Sequence, residues 1–159
     1  MSTARPPEGA PRDAGFRLVP CERDGAVALD RALPPEIREA CLATAGLYRR
    51  VGFQPPWVGY VAVLGDEAVG GGAFVGAPLH GRVEIAYYTL AARQREGIAG
   101  RTARRLVGIA QAARPGVEIF AKTLPRENPS TRILRSLGFE MTGTAADDGI
   151  GTAWAWLLR

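Results

Sequence analysis

Residues 92–106, ARQREGIAGRTARRL, combine residue types that can hold an anion. Gly97 and Gly100 interrupt a stretch that otherwise reads as helix, and Arg93, Arg95, Arg101, Arg104 and Arg105 surround them with a single acid, Glu96. A helix beginning near Gly97 offers unpaired N–H groups and the positive end of its dipole. A glycine there lets the backbone come close to a ligand, so that consecutive N–H groups cradle phosphate oxygens. Arg93, Arg95 and Arg101 add charge around that cradle. A solvated basic helix start, with Gly97 merely relieving crowding, accounts for the same residues. The stretch is not a P-loop, because GxxxxGK(S/T) is absent, nor is it the dinucleotide GxGxxG. The GxG in GGGAFVG (70–76) falls inside a strand, where close packing or a bulge explains it.

Glu84 is the candidate general base. It stands in the apolar run RVEIAYYTL (82–90), where burial would raise its pKa toward a useful range. A structural carboxylate bonded to a neighbouring strand or arginine would look the same. His80, the only histidine, lies in a PLHG turn and reads as solvated. Trp154 and Trp156 alternate with alanine on the last strand and read as core. Cys21 and Cys41 show no metal-ligand spacing. Cys41 shares a helical face with Ile37, Thr44 and Tyr48 and reads as a small core residue. Reduced thiols and a cytoplasmic location are the default expectation, and no metal is expected.

The elements that must position these residues follow from periodicity and punctuation. GFRLVPCE (15–22) reads as a strand. LPPEIREACLATAGLYRRVG (33–52) reads as a helix, started by its prolines and stopped by Gly52. Its apolar stripe is Ile37, Cys41, Leu47 and Tyr48. Residues 57–78 form a hairpin around the turn GDE, and 82–90 is the next strand. A helix over 97–113 turns Ala99, Ala103, Leu106, Ala110 and Ala113 to one face and Arg101, Arg104 and Arg105 to the other. Residues 116–124 form a strand and 129–139 a short helix. FEMTGTA and GTAWAWLLR make a closing antiparallel pair joined by ADDG. The order β-α-β-β-β-α-β-α-β-β predicts a layered α/β fold, with one right-handed β-α-β crossover through the arginine-rich helix.

The 159 residues make about one domain, and 47% apolar with 23% charged content is that of a soluble globular chain. Residues 1–15, rich in Pro, Gly and charge, read as a disordered lead-in without a secretory signal, and 16–159 as the single domain. No apolar run approaches the roughly 18 residues of a membrane span. Net charge is +4, nearly all from arginine, with Lys122 the only lysine. The arginines are spread along the chain without a recognition-helix motif, which disfavours a nucleic-acid partner.

QREGIA (94–99) is similar to the Q/R-x-x-G-x-G/A loop of the GNAT-family N-acetyltransferases. VEIAYYTL before it and TLPRENPSTRILRSLGFEMTG (123–143) resemble the RimJ/RimL-like branch, as do PPWVGYVAV, VGGGAFVGAP and the closing WAWLL. The resemblance covers roughly residues 16–159. It implies a mostly antiparallel mixed sheet with flanking helices, whose two parallel strands splay. It implies that acetyl-CoA, the co-substrate, lays its pyrophosphate on the 94–99 loop and its pantetheine arm along the strand of residues 84–90. Carried over residue by residue, it assigns coenzyme contacts to Tyr88, Thr89, Leu90, Gln94, Arg95, Glu96, Gly97, Ile98, Ala99, Gly100, Arg101, Asn128 and Ser130. Phe53 and Trp57 would border the acceptor pocket.

Glu84 matches the acidic position of the branch's EIGY-like run, and Ser130 is the candidate catalytic acid. Asn128 as a loop residue and Ser130 as a helix cap are the local alternatives. The branch often has glycine at the Arg95 position, a basic residue at the Glu96 position and proline at the Ala91 position. Glu96 beside a pyrophosphate is unfavourable unless it turns outward or pairs with an arginine. A tyrosine acid, common elsewhere in the family on the helix of residues 130–137, is absent from that helix.

The implied reaction is direct attack by a primary amine on the thioester in a ternary complex. An α-amine, with pKa near 7.7–8.0, is about a tenth or more neutral at pH 7, whereas a lysine amine is neutral less than about one part in a thousand. A protein N-terminal α-amine is therefore the favoured acceptor. An antibiotic or polyamine acceptor, or an acyl-CoA-binding module without turnover, remains the alternative. A homodimer is left open.

Overall fold

The computed structural model describes residues 15–159, so nearly all of the 1–15 lead-in lies outside the described residues. Seven strands and three helices follow in the order read from the sequence. They are β1 (Phe16–Pro20), α1 (Pro35–Val51), β2 (Gly59–Leu64), β3 (Glu67–Phe74), β4 (Arg82–Thr89), α2 (Ile98–Ala113), β5 (Glu118–Thr123), α3 (Pro129–Ser136), β6 (Glu140–Asp147) and β7 (Gly151–Leu158). A single 3-10 turn, Ala91–Arg93, links β4 to the loop before α2. The strands form one sheet in the order β1-β2-β3-β4-β5-β7-β6. Every neighbouring pair is antiparallel except β4 and β5.

Strand alternation divides the core into two layers. Val61 and Val63 of β2 pack with Ile37 and Cys41 of α1 on one face. Ala62, between them in sequence, packs with Ile98 of α2 on the other. That second face carries the largest cluster, in which Phe74, Ile85, Ile119 and Trp156 of the sheet meet Leu106 of α2 and Leu134 of α3. Trp154 packs beside this cluster. Trp156 is 1% exposed, its indole Nε1 donates to Thr123 Oγ1 at 3.0 Å, and the Arg135 guanidinium lies 5.0 Å from its ring.

The glycine run of β3 is there for packing. A Cβ on Gly72 would stand 2.8 Å from Leu106 Cδ1 of α2, and one on Gly71 would stand 2.7 Å from the Tyr60 carbonyl oxygen. The register between β2 and β3 also shifts between Ala62 and Val63, so a bulge accompanies the close packing. Two details differ from the sequence reading. The buried stripe of α2 is Ile98, Thr102, Ala103, Leu106 and Ala110, while Ala99 is half-buried and Ala113 exposed. Helix packing against β3 and β4 fixes that stripe and includes Thr102, whose hydroxyl donates to the Ile98 carbonyl. Helix α3 ends at Ser136, because Gly138 takes φ +92 and Phe139 turns back to donate to the Leu134 carbonyl.

Candidate active site

β4 and β5 touch over only three residue pairs, Arg82 with Glu118, Val83 with Ile119 and Glu84 with Phe120. Beyond them β4 stays on β3 through Thr89, while β5 stays on β7 through Thr123, so a gap opens between the parallel strands. The Leu90 N–H donates to the Val69 carbonyl of β3, and the Glu84 carbonyl accepts from the N–H of Val75, just past the end of β3. Because backbone groups alternate along a strand, Tyr87 and Thr89 turn theirs toward the gap.

A cavity of about 930 Å³ lies at the wide end of this gap, between the start of α2 and α3. Gly97, with φ +76, is the N-cap of α2, and Arg95 also has positive φ at +68. The first backbone bond of the helix runs from the Arg101 N–H to the Gly97 carbonyl at 3.1 Å. The N–H groups of Ile98, Ala99 and Gly100 therefore have no partner within the helix, and all three residues line the cavity. Of the coenzyme contacts that the resemblance implies, Tyr88, Thr89, Gln94, Arg95, Gly97, Ile98, Ala99, Gly100 and Ser130 all line this one cavity.

Four do not. Leu90 packs on the opposite face with the α1 cluster. Glu96 turns to Arg93, which donates to it through Nε at 2.8 Å and to Glu67 through Nη1 at 2.5 Å. That pairing holds the Glu96 carboxyl below its ordinary value and answers the objection to an acid beside phosphate. It also occupies Arg93. Arg101 extends over the Phe16 ring, 6.0 Å from its centroid, away from the cavity. Asn128 is the N-cap of α3, its side-chain oxygen accepting from the Thr131 N–H at 3.0 Å while Thr131 Oγ1 accepts from the Asn128 N–H at 3.1 Å. Asn128, not Ser130, thus caps the helix, and Ser130 presents its side chain to the cavity.

Tyr87, Arg93, Pro129, Arg132, Ile133 and Ser136 complete the lining. Tyr87 was legible from alternation, since it shares a face of β4 with Val83, Ile85 and Thr89. Burial pushes its phenol up, and the Ser130 hydroxyl beside it draws it part of the way back. Arg132 carried no signal, because nothing in the sequence says that α3 turns that residue toward α2. Among the described residues neither Arg95 nor Arg132 makes an ion pair.

A second cavity, of about 240 Å³, lies on the α1 face and shares Tyr87 and Tyr88 with the first. Cys21 and Cys41 line it as free thiols with sulfurs 3.8 Å apart, and burial raises both. The Tyr60 hydroxyl donates to the Pro56 carbonyl at 2.6 Å, and burial pushes it up to about 12. Phe53 and Trp57 line neither cavity. Phe53 stacks edge-on against Tyr48 under the Arg23 guanidinium, and Trp57 packs edge-on against Phe74. His80 is exposed in its turn.

Glu84 sits where the strands part, on the same face of β4 as Ala86 and Tyr88. Its side chain is 21% exposed, and Lys122 Nζ lies 3.9 Å from its carboxylate. Burial raises the Glu84 pKa, Lys122 lowers it and Asp147 raises it again. Among the described residues no group of three or more His, Cys, Asp or Glu side chains could hold a metal ion, and no helix is long and apolar enough to cross a membrane.

A sheet whose two parallel strands part beside the start of α2 is also found in solved structures. The RimL ribosomal L7/L12 α-N-protein acetyltransferase in complex with coenzyme A superposes with TM-score 0.65 at 15% identity, over 93% of this chain and 96% of that one. The ribosomal-protein-S5-alanine acetyltransferase of Vibrio fischeri gives 0.62 at 16% identity, over 90% and 91%. The microcin C7 self-immunity acetyltransferase MccE, in complex with acetyl-CoA and AMP, gives 0.59 at 13%, over 77% and 69%. No family model and no curated protein sequence matches the chain. The chain has the fold of the GNAT acetyltransferases.

Proposed function

We propose that this protein is an acetyl-CoA-dependent N-acetyltransferase whose acceptor is a primary amine. The observation that carries the reading is the cavity itself: helix N–H groups without intrahelical partners open on it at the wide end of the parted strands. Its volume falls in the usual range for cofactor sites. The residues fit the coenzyme by an independent mark. Thr89 lines the cavity, and its hydroxyl is buried without any hydrogen-bond partner among the described residues. A buried orphan hydroxyl costs stability unless a ligand completes it.

The N–H groups of Ile98, Ala99 and Gly100 would hold the pyrophosphate, with Arg95 and Arg132 neutralising its charge. Tyr87 and Thr89 would bond the pantetheine amides through the backbone groups they turn to the gap. Bound there, acetyl-CoA supplies an activated acetyl thioester. On this reading, alternation along β4 would set the acid and the base on opposite sides of the reacting carbon. Glu84 faces the α1 side, where it takes the proton of the attacking amine. Tyr87 and Ser130 face the coenzyme side, where the buried phenol stays protonated and donates toward the departing sulfur.

The favoured acceptor is the α-amine of a protein N-terminus. Two structural neighbours have names that specify ribosomal-protein acetylation, one of them of an α-amine. An amine already partly neutral at pH 7 also suits a single carboxylate base. One observation favours the second reading, a coenzyme-binding module without turnover: Glu84 is already paired with Lys122. Coenzyme release from acetyl-CoA, measured over peptides, lysine, polyamines and aminoglycosides, separates these readings. Release that requires an amine, and is lost in Glu84→Gln, supports the transferase. Tight coenzyme binding without release on any acceptor supports the module.

A further inference from the structure

Lys122 is the chain's only lysine, and it stands between two carboxylates supplied by different strands. Its Nζ lies 3.9 Å from Glu84 of β4 and 3.9 Å from Asp147 of β6. All three side chains are between 21% and 29% exposed, so water screens them only in part. The arrangement depends on the hairpin of β6 and β7. β5 ends against Trp154 of β7, yet β7 begins three residues earlier, at Gly151, so the hairpin tip overhangs the end of β5. Asp147 is fixed at that tip, its Oδ1 accepting from the N–H groups of Gly149 and Ile150 while its Oδ2 faces Lys122.

We propose that Lys122 and Asp147 are positioning residues that hold the Glu84 carboxylate at the parting of the strands and set the pH range over which it is ionised. The inference rests on the reading of Glu84 as the base. The charges around Glu84 are few. Arg82, two residues away on the same face, is engaged by Glu118 at 3.1 Å. From β5 come Phe120, directly opposite, and Lys122. From the hairpin comes Asp147. On the β3 side the neighbour is Val75, whose N–H bonds to the Glu84 carbonyl. Among the described residues, Lys122 is thus the only cation near Glu84 that is not held by a closer partner. Burial would otherwise leave the carboxylate protonated over more of the pH range, and therefore unable to accept a proton.

The test follows the Glu84 carboxyl through a pH titration by 13C NMR, its signal assigned by its loss in Glu84→Gln. Lys122→Met removes the cation and should move the midpoint to higher pH. Asp147→Asn removes the competing anion and should move it lower. Lys122→Arg, keeping the charge, should hold it near that of the parent protein. The acid limb of kcat/KM should track these midpoints, each unit of displacement costing about tenfold below the limb. A midpoint unmoved in Lys122→Met, with the variant shown folded by circular dichroism across the titration, overturns the inference. Midpoints that move while Glu84→Gln turns over normally keep the electrostatic role of Lys122 and overturn Glu84 as base.

Discussion

Replacing Thr89 with valine should make the free protein more stable and the coenzyme complex weaker. The two side chains are nearly isosteric, so the change removes little but the hydroxyl. That hydroxyl is buried and without a partner in the free protein. An unsatisfied buried polar group costs about 1–3 kcal/mol, and replacing it with carbon recovers part of this. For a chain of this size, 1 kcal/mol moves Tm by roughly 2–4 °C, so the free variant should melt a few degrees higher. If the hydroxyl bonds bound coenzyme, its net contribution is about 0.5–1.5 kcal/mol. Affinity should then fall by about two- to twelvefold. Differential scanning fluorimetry with and without coenzyme A, together with isothermal titration, reads both effects. The opposite signs are the decisive feature, since ordinary core damage lowers stability and affinity together. A variant that melts lower and binds coenzyme A unchanged would refute the assignment of Thr89 to the coenzyme wall.

Gly97→Val should leave the fold intact, because no atom lies within 4 Å of an added Cβ, yet force a branched residue to φ +76 at the cradle. A left-handed residue costs roughly 1–2 kcal/mol, so coenzyme affinity should fall by about tenfold or more at unchanged circular dichroism. Glu84→Gln should lower turnover by about 10²-fold with coenzyme affinity nearly unchanged, and stopped assays of coenzyme release check it. The Glu127 carboxyl is held down to about 2 by the Arg135 guanidinium and the Thr131 hydroxyl. Its contribution to α3 is thus complete above the ordinary glutamate range and lost as pH falls toward about 2, so an acid melt of Glu127→Gln should lack that part of the pH dependence.

Much of the architecture was legible because apolar alternation and helix punctuation act locally. The order of elements, the start of α2 at Gly97 and the cavity-lining Gln94, Arg95 and Gly97 to Gly100 depend on short-range pattern. What was not legible depends on register between strands distant in sequence. Arg93 reads as a phosphate ligand until β3 brings Glu67 against it, 26 residues away. Arg101 reads the same way until β1 offers the Phe16 ring. Asn128 reads as a coenzyme contact until Thr131 closes the capping box. Phe53 and Trp57 read as pocket wall until Tyr48 and Phe74 take their faces. Lys122 and Asp147 gave no signal at all, because only the β6–β7 overhang brings them beside Glu84.

The measurement that bears most directly on the account is isothermal titration of acetyl-CoA into the parent protein and into Gly97→Val, each first shown to be folded. The account expects one coenzyme per chain for the parent protein, weakened by about tenfold or more in the variant, with salt weakening both because Arg95 and Arg132 meet phosphate charge. No binding to the parent protein, or equal binding to both, would contradict the phosphate cradle at the start of α2 and the function proposed from it.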